Sequence, residues 1–207
     1  MCKGVKYLIE TNRDLSLVGL FPLTENIITP KSLKSGDIIT SHSGKTVEIL
    51  DTDAEGRLVV ADALSYSSLY KPERIIDLTT ITSTNITCYD NGVFFTLNKN
   101  LKNKIEEISY KMKEDLSPLP SIIHKTMLYS TVADIKNISL NCQKKKGAGA
   151  YIAAMFLHEF VPKNTKEWIH FDISNEIYED LDKDIIMPNG KCIRTIIFDI
   201  NLNISRC

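Results

Sequence analysis

Short apolar runs alternate with amphipathic stretches along the chain, and polar turns separate them. Runs rich in β-branched and aromatic residues are typical of strands. They occupy residues 15–21, 45–50, 74–82, 91–97, 167–173 and 193–200. Helix-like segments occupy residues 1–11, 56–70, 101–113 and 147–161. This order predicts an α/β fold in which a mixed β-sheet is sandwiched between helices.

The spacing of apolar residues also predicts how the helices pack. Residues 101–113 carry one apolar stripe at intervals of three and four positions, so they should form a surface helix with one buried face. The stripe consists of Leu101, Ile105, Ile108 and Met112. Residues 56–70 begin with apolar side chains on almost every side, which predicts a buried helix.

Composition and charge narrow the class of protein. The chain has 207 residues without a repeat or a linker-like break, so we expect one domain over residues 1–207. Its 25 basic and 26 acidic side chains nearly cancel, which gives no general attraction to nucleic acid or to a membrane surface. The five cysteines are scattered and form no CxxC pair, and no apolar run is long enough to span a membrane. We expect a cytoplasmic protein.

The candidate chemistry lies between a predicted strand and a predicted helix, in "DTDAEGRL" (51–58). Asp53 and Glu55 are two positions apart, so on a turn both carboxylates can face one divalent cation. Arg57 could stabilise an anion beside them. The same residues allow a helix-capping box between Thr52 and Glu55. Both interpretations remain open, because a capping residue can also bind a metal.

Other motifs in the chain are incomplete. The "SGKT" at residues 43–46 lacks the first glycine of a phosphate-binding loop, since Ile39 stands there. His158 and Glu159 begin a zinc-protease motif, but Pro162 replaces its second histidine. His170 lies in an apolar predicted strand, which favours a core histidine over a metal ligand.

One long stretch resembles a known family. "SGKTVEILDTDAEGRLVVADAL" (43–64) is similar to the signature region of the leucyl (cytosol) aminopeptidases, two-metal exopeptidases that remove N-terminal residues. The family motif reads Asn-Thr-Asp-Ala-Glu-Gly-Arg-Leu, and only Asp51 differs from it. Further blocks follow the family's order. They are residues 17–26, 35–50, 74–82, 133–138, 147–161 and 168–173.

The resemblance implies a fold, a set of site residues and partners. The fold would be the family's catalytic domain, a mixed sheet between helices, assembled as a homo-oligomer such as the family's hexamer. Asp53 and Glu55 would be ligands of a divalent metal, manganese or zinc. Arg57 would hold the bicarbonate or other anion that helps to deprotonate the attacking water. Thr80, Ile81 and Thr82 would line the cleft for a peptide substrate with a leucine-like N-terminal residue.

The chain also departs from the family's pattern. The family's other metal ligands and its carbonyl-polarising lysine lie upstream of the matching blocks, so we expect an N-terminally truncated catalytic domain. Ser83, Ser139-Leu140 and Ser174-Asn175 stand where the family has small residues near the cleft. Two functions are therefore expected: a metallo-aminopeptidase, or a catalytically silent homologue that acts through binding, for example to a full-length homologue.

Overall fold

The fold is built around a mixed four-stranded sheet. The computed structural model describes residues 2–11, 15–25, 27–82, 92–114, 116–123, 125–139, 148–174, 178–182, 185–188, 190 and 192–204. Within these ranges the strands are β1 (Ile38–Thr40), β2 (Thr46–Glu48), β3 (Arg74–Thr79), β4 (Gly92–Phe95), β5 (Leu116–Pro118), β6 (Ile135–Lys136), β7 (Glu167–Asp172), β8 (Tyr178–Asp182) and β9 (Ile185–Pro188). The helices are α1 (Cys2–Thr11), α2 (Gly56–Tyr66), α3 (Lys99–Met112), α4 (Gly149–His158) and α5 (Ile193–Ile204).

The strand order of the central sheet is β3-β7-β4-β5. β3 runs parallel to β7, β4 runs antiparallel to β7, and β5 runs parallel to β4. In the β3–β7 register Asp77 lies opposite His170 and Thr79 lies opposite Asp172. A smaller sheet, β1-β2-β6, contains β2, the strand that leads into the candidate site, and β8 and β9 form a separate two-stranded sheet. The register therefore places polar residues of two strands together at the carboxyl end of the sheet.

Alternate residues of the central strands face two separate helical layers, because successive side chains on a strand point to opposite faces. Val93, Phe95 and Trp168 belong to a core that includes residues of α2 and α4. Phe94 and Phe171 belong to a second core with residues of α3 and α5. Helices therefore cover both faces of the sheet, which confirms the predicted fold class.

Helix α3 confirms the predicted apolar stripe. Leu101, Ile105 and Ile108 are buried in this otherwise polar helix, and Met112 at its end is half-buried. Asn98 caps its first turn, because its side-chain oxygen accepts from the N–H groups of Asn100 and Leu101 at 3.0 and 3.1 Å. Both signals are local in sequence, which is why the pattern of apolar residues predicts this helix.

Two predicted strands are wrong. Residues 15–21 form no strand, and the side chains of Val18 and Phe21 are about half exposed, at 49% and 48%. Residues 193–200 lie within α5 instead of a strand. The buried positions of α5 include Thr195 and Asp199, which are polar and four residues apart. Polar residues occupy part of the buried face of this helix, so its apolar residues alone do not mark that face, and they suggested a strand instead.

Polar partners make that burial possible. Glu114 accepts from the N–H and the hydroxyl of Thr195, at 2.9 and 2.6 Å. Asp199 is completely buried and forms ion pairs with Arg74 of β3 and with Lys104 of α3, the latter at 2.8 Å. These contacts join α5 to the sheet and to α3. None of the helices in the described ranges has the length and apolarity to cross a membrane.

We predict that Asp199→Asn destabilises the chain by about 3 kcal/mol, because it removes a buried carboxylate that forms ion pairs with two partly buried cations, Arg74 and Lys104. The unfolding free energy from urea denaturation measures this loss. Glu73→Gln is the matched control, since it removes the exposed ion pair between Glu73 and Lys166 and should leave the midpoint unchanged. Equal losses in the two variants would contradict the assigned role of Asp199.

Candidate active site

The candidate site begins with a short turn between β2 and α2. Thr52–Ala54 forms a 3₁₀ turn, and the Asp51 carboxylate accepts from the N–H of Asp53 at 3.0 Å. Helix α2 then begins at Gly56, with Glu55 at its N-cap position and without a side-chain cap. The predicted capping box between Thr52 and Glu55 is therefore wrong. The box requires Thr52 at the N-cap and Glu55 in the first turn of the same helix, but Thr52 lies in the 3₁₀ turn and Glu55 at the N-cap of α2. The side chain that caps the turn is that of Asp51.

Asp53 and Glu55 are both exposed on this turn. No hydrogen bond or ion pair from the part of the chain that the structure describes engages either carboxylate. Their oxygens are the donors that hard divalent cations prefer, so the pair fits part of a metal site. Two carboxylates supply only part of a divalent ion's coordination. Within the described ranges no group of three or more His, Cys, Asp or Glu side chains could hold a metal ion.

Arg57 lies in the first turn of α2 and is almost completely buried, with 6% of its surface exposed. One terminal nitrogen donates to the carbonyl oxygen of Asn137 at 2.9 Å. Burial lowers the pKa of its guanidinium to about 10, against the opposing attraction of Asp172, Asp51 and Glu55. Its Nε–H has no hydrogen-bond partner among the described residues. A fixed cation with an unused donor is suited to binding an anion.

Asn137 forms hydrogen bonds with the segment that leads into the site. Sequence analysis did not identify this role. Its Nδ2 donates to the carbonyl of Asp51 at 2.6 Å, and its Oδ1 accepts from the N–H of Leu50 at 2.9 Å. The residue is completely buried and follows β6, which pairs in parallel with β2. Only this distant pairing brings Asn137 to the turn, so no local signal in the sequence could have found its role.

The predicted cleft residues follow the end of β3. Thr80 is exposed, Ile81 is half-buried and Thr82 is buried. A Cβ at Gly56 would lie 3.1 Å from Cγ2 of Ile81, so the glycine permits close packing between this segment and the start of α2. The structure therefore brings Ile81 to the turn that carries Glu55 and Arg57. Asp53 and Thr80 are exposed.

Thr82 is tied to the neighbouring strand. Its hydroxyl donates to Oδ2 of Asp172, at the carboxyl end of β7, at 2.5 Å. Asp172 is completely buried, and its charge also attracts Arg57. It thereby connects the cleft segment with the cation of the site. Of the residues that depart from the family pattern, Ser139 is buried and Ser174 contacts Asp172, whereas Ser83, Leu140 and Asn175 lie outside the described residues.

His170 is a buried histidine of the core, as the sequence predicted. Its Nδ1 lies 2.5 Å from Oδ1 of Asp77, and the indole N–H of Trp168 donates to Oδ2 of the same carboxylate at 2.7 Å. Burial alone would lower the pKa of His170, but the attraction of Asp77, its hydrogen bond and the charge of Asp172 raise it above 6.5 overall. The folded chain therefore binds the His170 proton more tightly than the unfolded chain does.

We predict that the unfolding free energy falls as the pH rises above about 6.5, the pKa of an unfolded histidine, because His170 keeps its proton to higher pH in the folded state. The stabilisation from this pair is complete at lower pH and is lost as the pH passes through the raised pKa. Urea denaturation at a series of pH values measures the fall. His170→Gln should remove it and His42→Gln should retain it; the same fall in both variants would refute the assignment.

Two curated relatives are similar to the chain over most of its length. A probable cytosol aminopeptidase of Chlamydia abortus is 37% identical over 198 residues, which are 93% of this chain and 39% of that protein. Peptidase B of Vibrio parahaemolyticus is 41% identical over 197 residues, which are 93% of this chain and 44% of that protein. The chain thus spans about two fifths of the length of these curated relatives.

Solved structures lead to the same assignment. The crystal structure of a cytosol aminopeptidase from Coxiella burnetii superposes with a TM-score of 0.74 at 33% identity, covering 86% of this chain and 38% of that one. Residues 1–197 match the cytosol aminopeptidase family, catalytic domain. Because this match covers nearly the whole chain, the chain belongs to the cytosol aminopeptidase family.

Proposed function

We propose that the chain is part of a metal-dependent aminopeptidase that removes N-terminal, leucine-like residues from peptides by a two-metal mechanism. The observation that supports this proposal is the contrast between neighbouring acids. Asp51 and Asp172 are engaged in hydrogen bonds within the protein, whereas the carboxylates of Asp53 and Glu55 are exposed and form no hydrogen bond or ion pair within the described ranges. Exposed carboxylates on an anchored turn are available to a cation.

Asp53 and Glu55 would hold the divalent ion, which is manganese or zinc in this proposal. Such an ion, when bound, polarises a carbonyl and makes a water molecule more acidic. Arg57 would bind bicarbonate or a similar anion, which accepts the proton of the attacking water. Its burial supports this role, because an attraction between opposite charges is stronger where water is excluded.

The segment 80–82 would bind the substrate. Thr80 offers an exposed hydroxyl and Ile81 an apolar side chain beside the start of α2. A leucine-like side chain suits an apolar contact of this kind. The similarity to a cytosol aminopeptidase and to a peptidase B supports a peptide substrate and a cytoplasmic location. We propose in addition a homo-oligomer, or an assembly with a full-length homologue, because two carboxylates leave coordination positions to be filled from elsewhere.

The second candidate is a catalytically silent homologue that acts through binding or assembly. It is favoured by one observation, namely that the described residues contain no group of three or more potential metal ligands. A two-metal site normally needs several donors for each ion. The two proposals differ in whether the chain turns over a substrate.

We expect the purified chain to release leucine from leucine amide when manganese or zinc is added, and we expect Glu55→Ala to lower the rate by about 100-fold or more through the loss of a metal ligand. Binding of manganese, followed by calorimetry, should weaken in the same variant. Glu107→Ala is the matched control, because it removes an exposed glutamate from α3 and should change neither measurement.

The outcomes separate the two candidates. Turnover that depends on Glu55 supports the aminopeptidase. Folded protein that binds manganese without turnover, and that associates with a full-length homologue in light scattering, supports the silent homologue. Unchanged turnover and unchanged metal binding in Glu55→Ala would refute the role of the turn at residues 51–57.

A further inference from the structure

The hydroxyl of Ser174 links the end of β7 to the cleft segment 80–82. Its Oγ donates to Oδ1 of Asp172 at 2.5 Å. The same oxygen accepts from the backbone N–H of Thr82 at 3.3 Å. A single hydroxyl therefore contacts both the buried acid and the backbone of the segment that would bind the substrate.

These contacts close a ring of three hydrogen bonds. The hydroxyl of Thr82 donates to Oδ2 of Asp172 at 2.5 Å, so the two oxygens of this carboxylate bind Thr82 and Ser174 respectively. The N–H of Thr82 donates to Oγ of Ser174, and this third hydrogen bond completes the ring. We call this arrangement the Thr82–Asp172–Ser174 ring. Asp172 is completely buried, and a buried carboxylate whose donors are removed is costly, so the ring resists opening.

The ring lies just beyond the end of β3, where the backbone hydrogen bonds between β3 and β7 stop. β3 ends at Thr79, whose carbonyl accepts from the N–H of Ile173 at 2.9 Å. The backbone hydrogen bonds of the β3–β7 ladder stop there, but the chain continues to Thr82. The backbone N–H of Thr82 is held by one side-chain oxygen, Oγ of Ser174, instead of by a neighbouring strand. The conformation of the cleft segment therefore depends on side chains that a single substitution can change.

We propose that Ser174 is a positioning residue, which through the Thr82–Asp172–Ser174 ring holds the segment 80–82 against the end of β7. Thr80 and Ile81 are thereby kept in a fixed position beside Gly56, at the start of α2. The importance of this position for peptide hydrolysis rests on the proposed function. The ring itself is a property of the folded chain and can be tested without turnover.

Ser174→Ala tests the proposal, because it removes the hydroxyl and leaves the N–H of residue 174 bound to Asp172. We expect hydrogen exchange of the Thr82 amide, followed by NMR, to become roughly 2- to 10-fold faster, as the loss of one hydrogen bond predicts. Ser174→Thr keeps the hydroxyl and should restore the slow exchange. Amides in β3 and β7 should keep their exchange rates in both variants.

Ser130→Ala is the matched control. The hydroxyl of Ser130 donates to Oε2 of Glu48 at 2.5 Å and accepts from the N–H of Val132 at 3.1 Å, so it repeats the chemistry of Ser174 at another place. This variant should leave the exchange of the Thr82 amide unchanged. Unchanged exchange in Ser174→Ala would overturn the proposal, and so would faster exchange that spreads evenly over the sheet, which indicates a general loss of stability.

Turnover gives an independent result. In the active chain, Ser174→Ala should raise KM for leucine amide several-fold with little change in kcat, because the metal-binding turn is untouched. A fall in kcat at constant KM would contradict a role in holding the substrate segment. Absence of turnover in every variant would refute the proposed function, while the exchange of the Thr82 amide would still decide whether Ser174 positions the segment.

Discussion

The burial of Arg57 is the constraint on which the arrangement of the site depends. A guanidinium that is 94% removed from solvent, as its 6% exposure means, is unstable unless acids and carbonyl groups surround it. Here the compensation comes from separate parts of the chain: the carbonyl of Asn137 after β6, the carboxylate of Asp172 at the end of β7, and Asp51 and Glu55 on the turn before α2. A displacement of any of these parts would weaken the hydrogen bond or the attraction that offsets the burial of the cation. The same interaction therefore favours one arrangement of the turn, the end of the sheet and the first turn of α2.

Other buried charges join elements of the fold in the same way. Asp77 of β3 pairs with His170 of β7, and Asp199 connects α5 with β3 and α3. Apolar packing makes burial favourable, but it is not directional and tolerates several arrangements of similar volume. An unpaired buried charge is costly, so each of these pairs favours one position of a helix or strand. Polar pairs in the core thus determine which elements meet, while the apolar residues supply most of the stabilisation.

Sequence could predict those parts of the structure that depend on local or apolar patterns. The stripe of Leu101, Ile105 and Ile108 identifies α3, and the resemblance of residues 51–58 to a family motif identifies Asp53, Glu55 and Arg57 as a group. It could not predict α5, because Thr195 and Asp199 occupy its buried face and their partners are distant in sequence. Nor could it predict the capping of the turn by Asp51 or the roles of Asn137 and Asp172. Those roles arise only when parallel strands bring their carboxyl ends together.

The turn at residues 51–57 separates anchored positions from exposed ones. Asp51 is held by Asn137, Ala54 is buried, Gly56 packs against Ile81, and Arg57 is enclosed by its acids and carbonyl. Asp53 and Glu55 lie between these anchors and project into solvent. In the proposed metal site, little conformational entropy would be left to lose when both carboxylates bind one ion, because the backbone on each side is fixed. The anchors would therefore raise the affinity of the turn for a cation without contacting it. This preorganisation is the physical reason why two exposed acids can benefit from the buried polar residues around them.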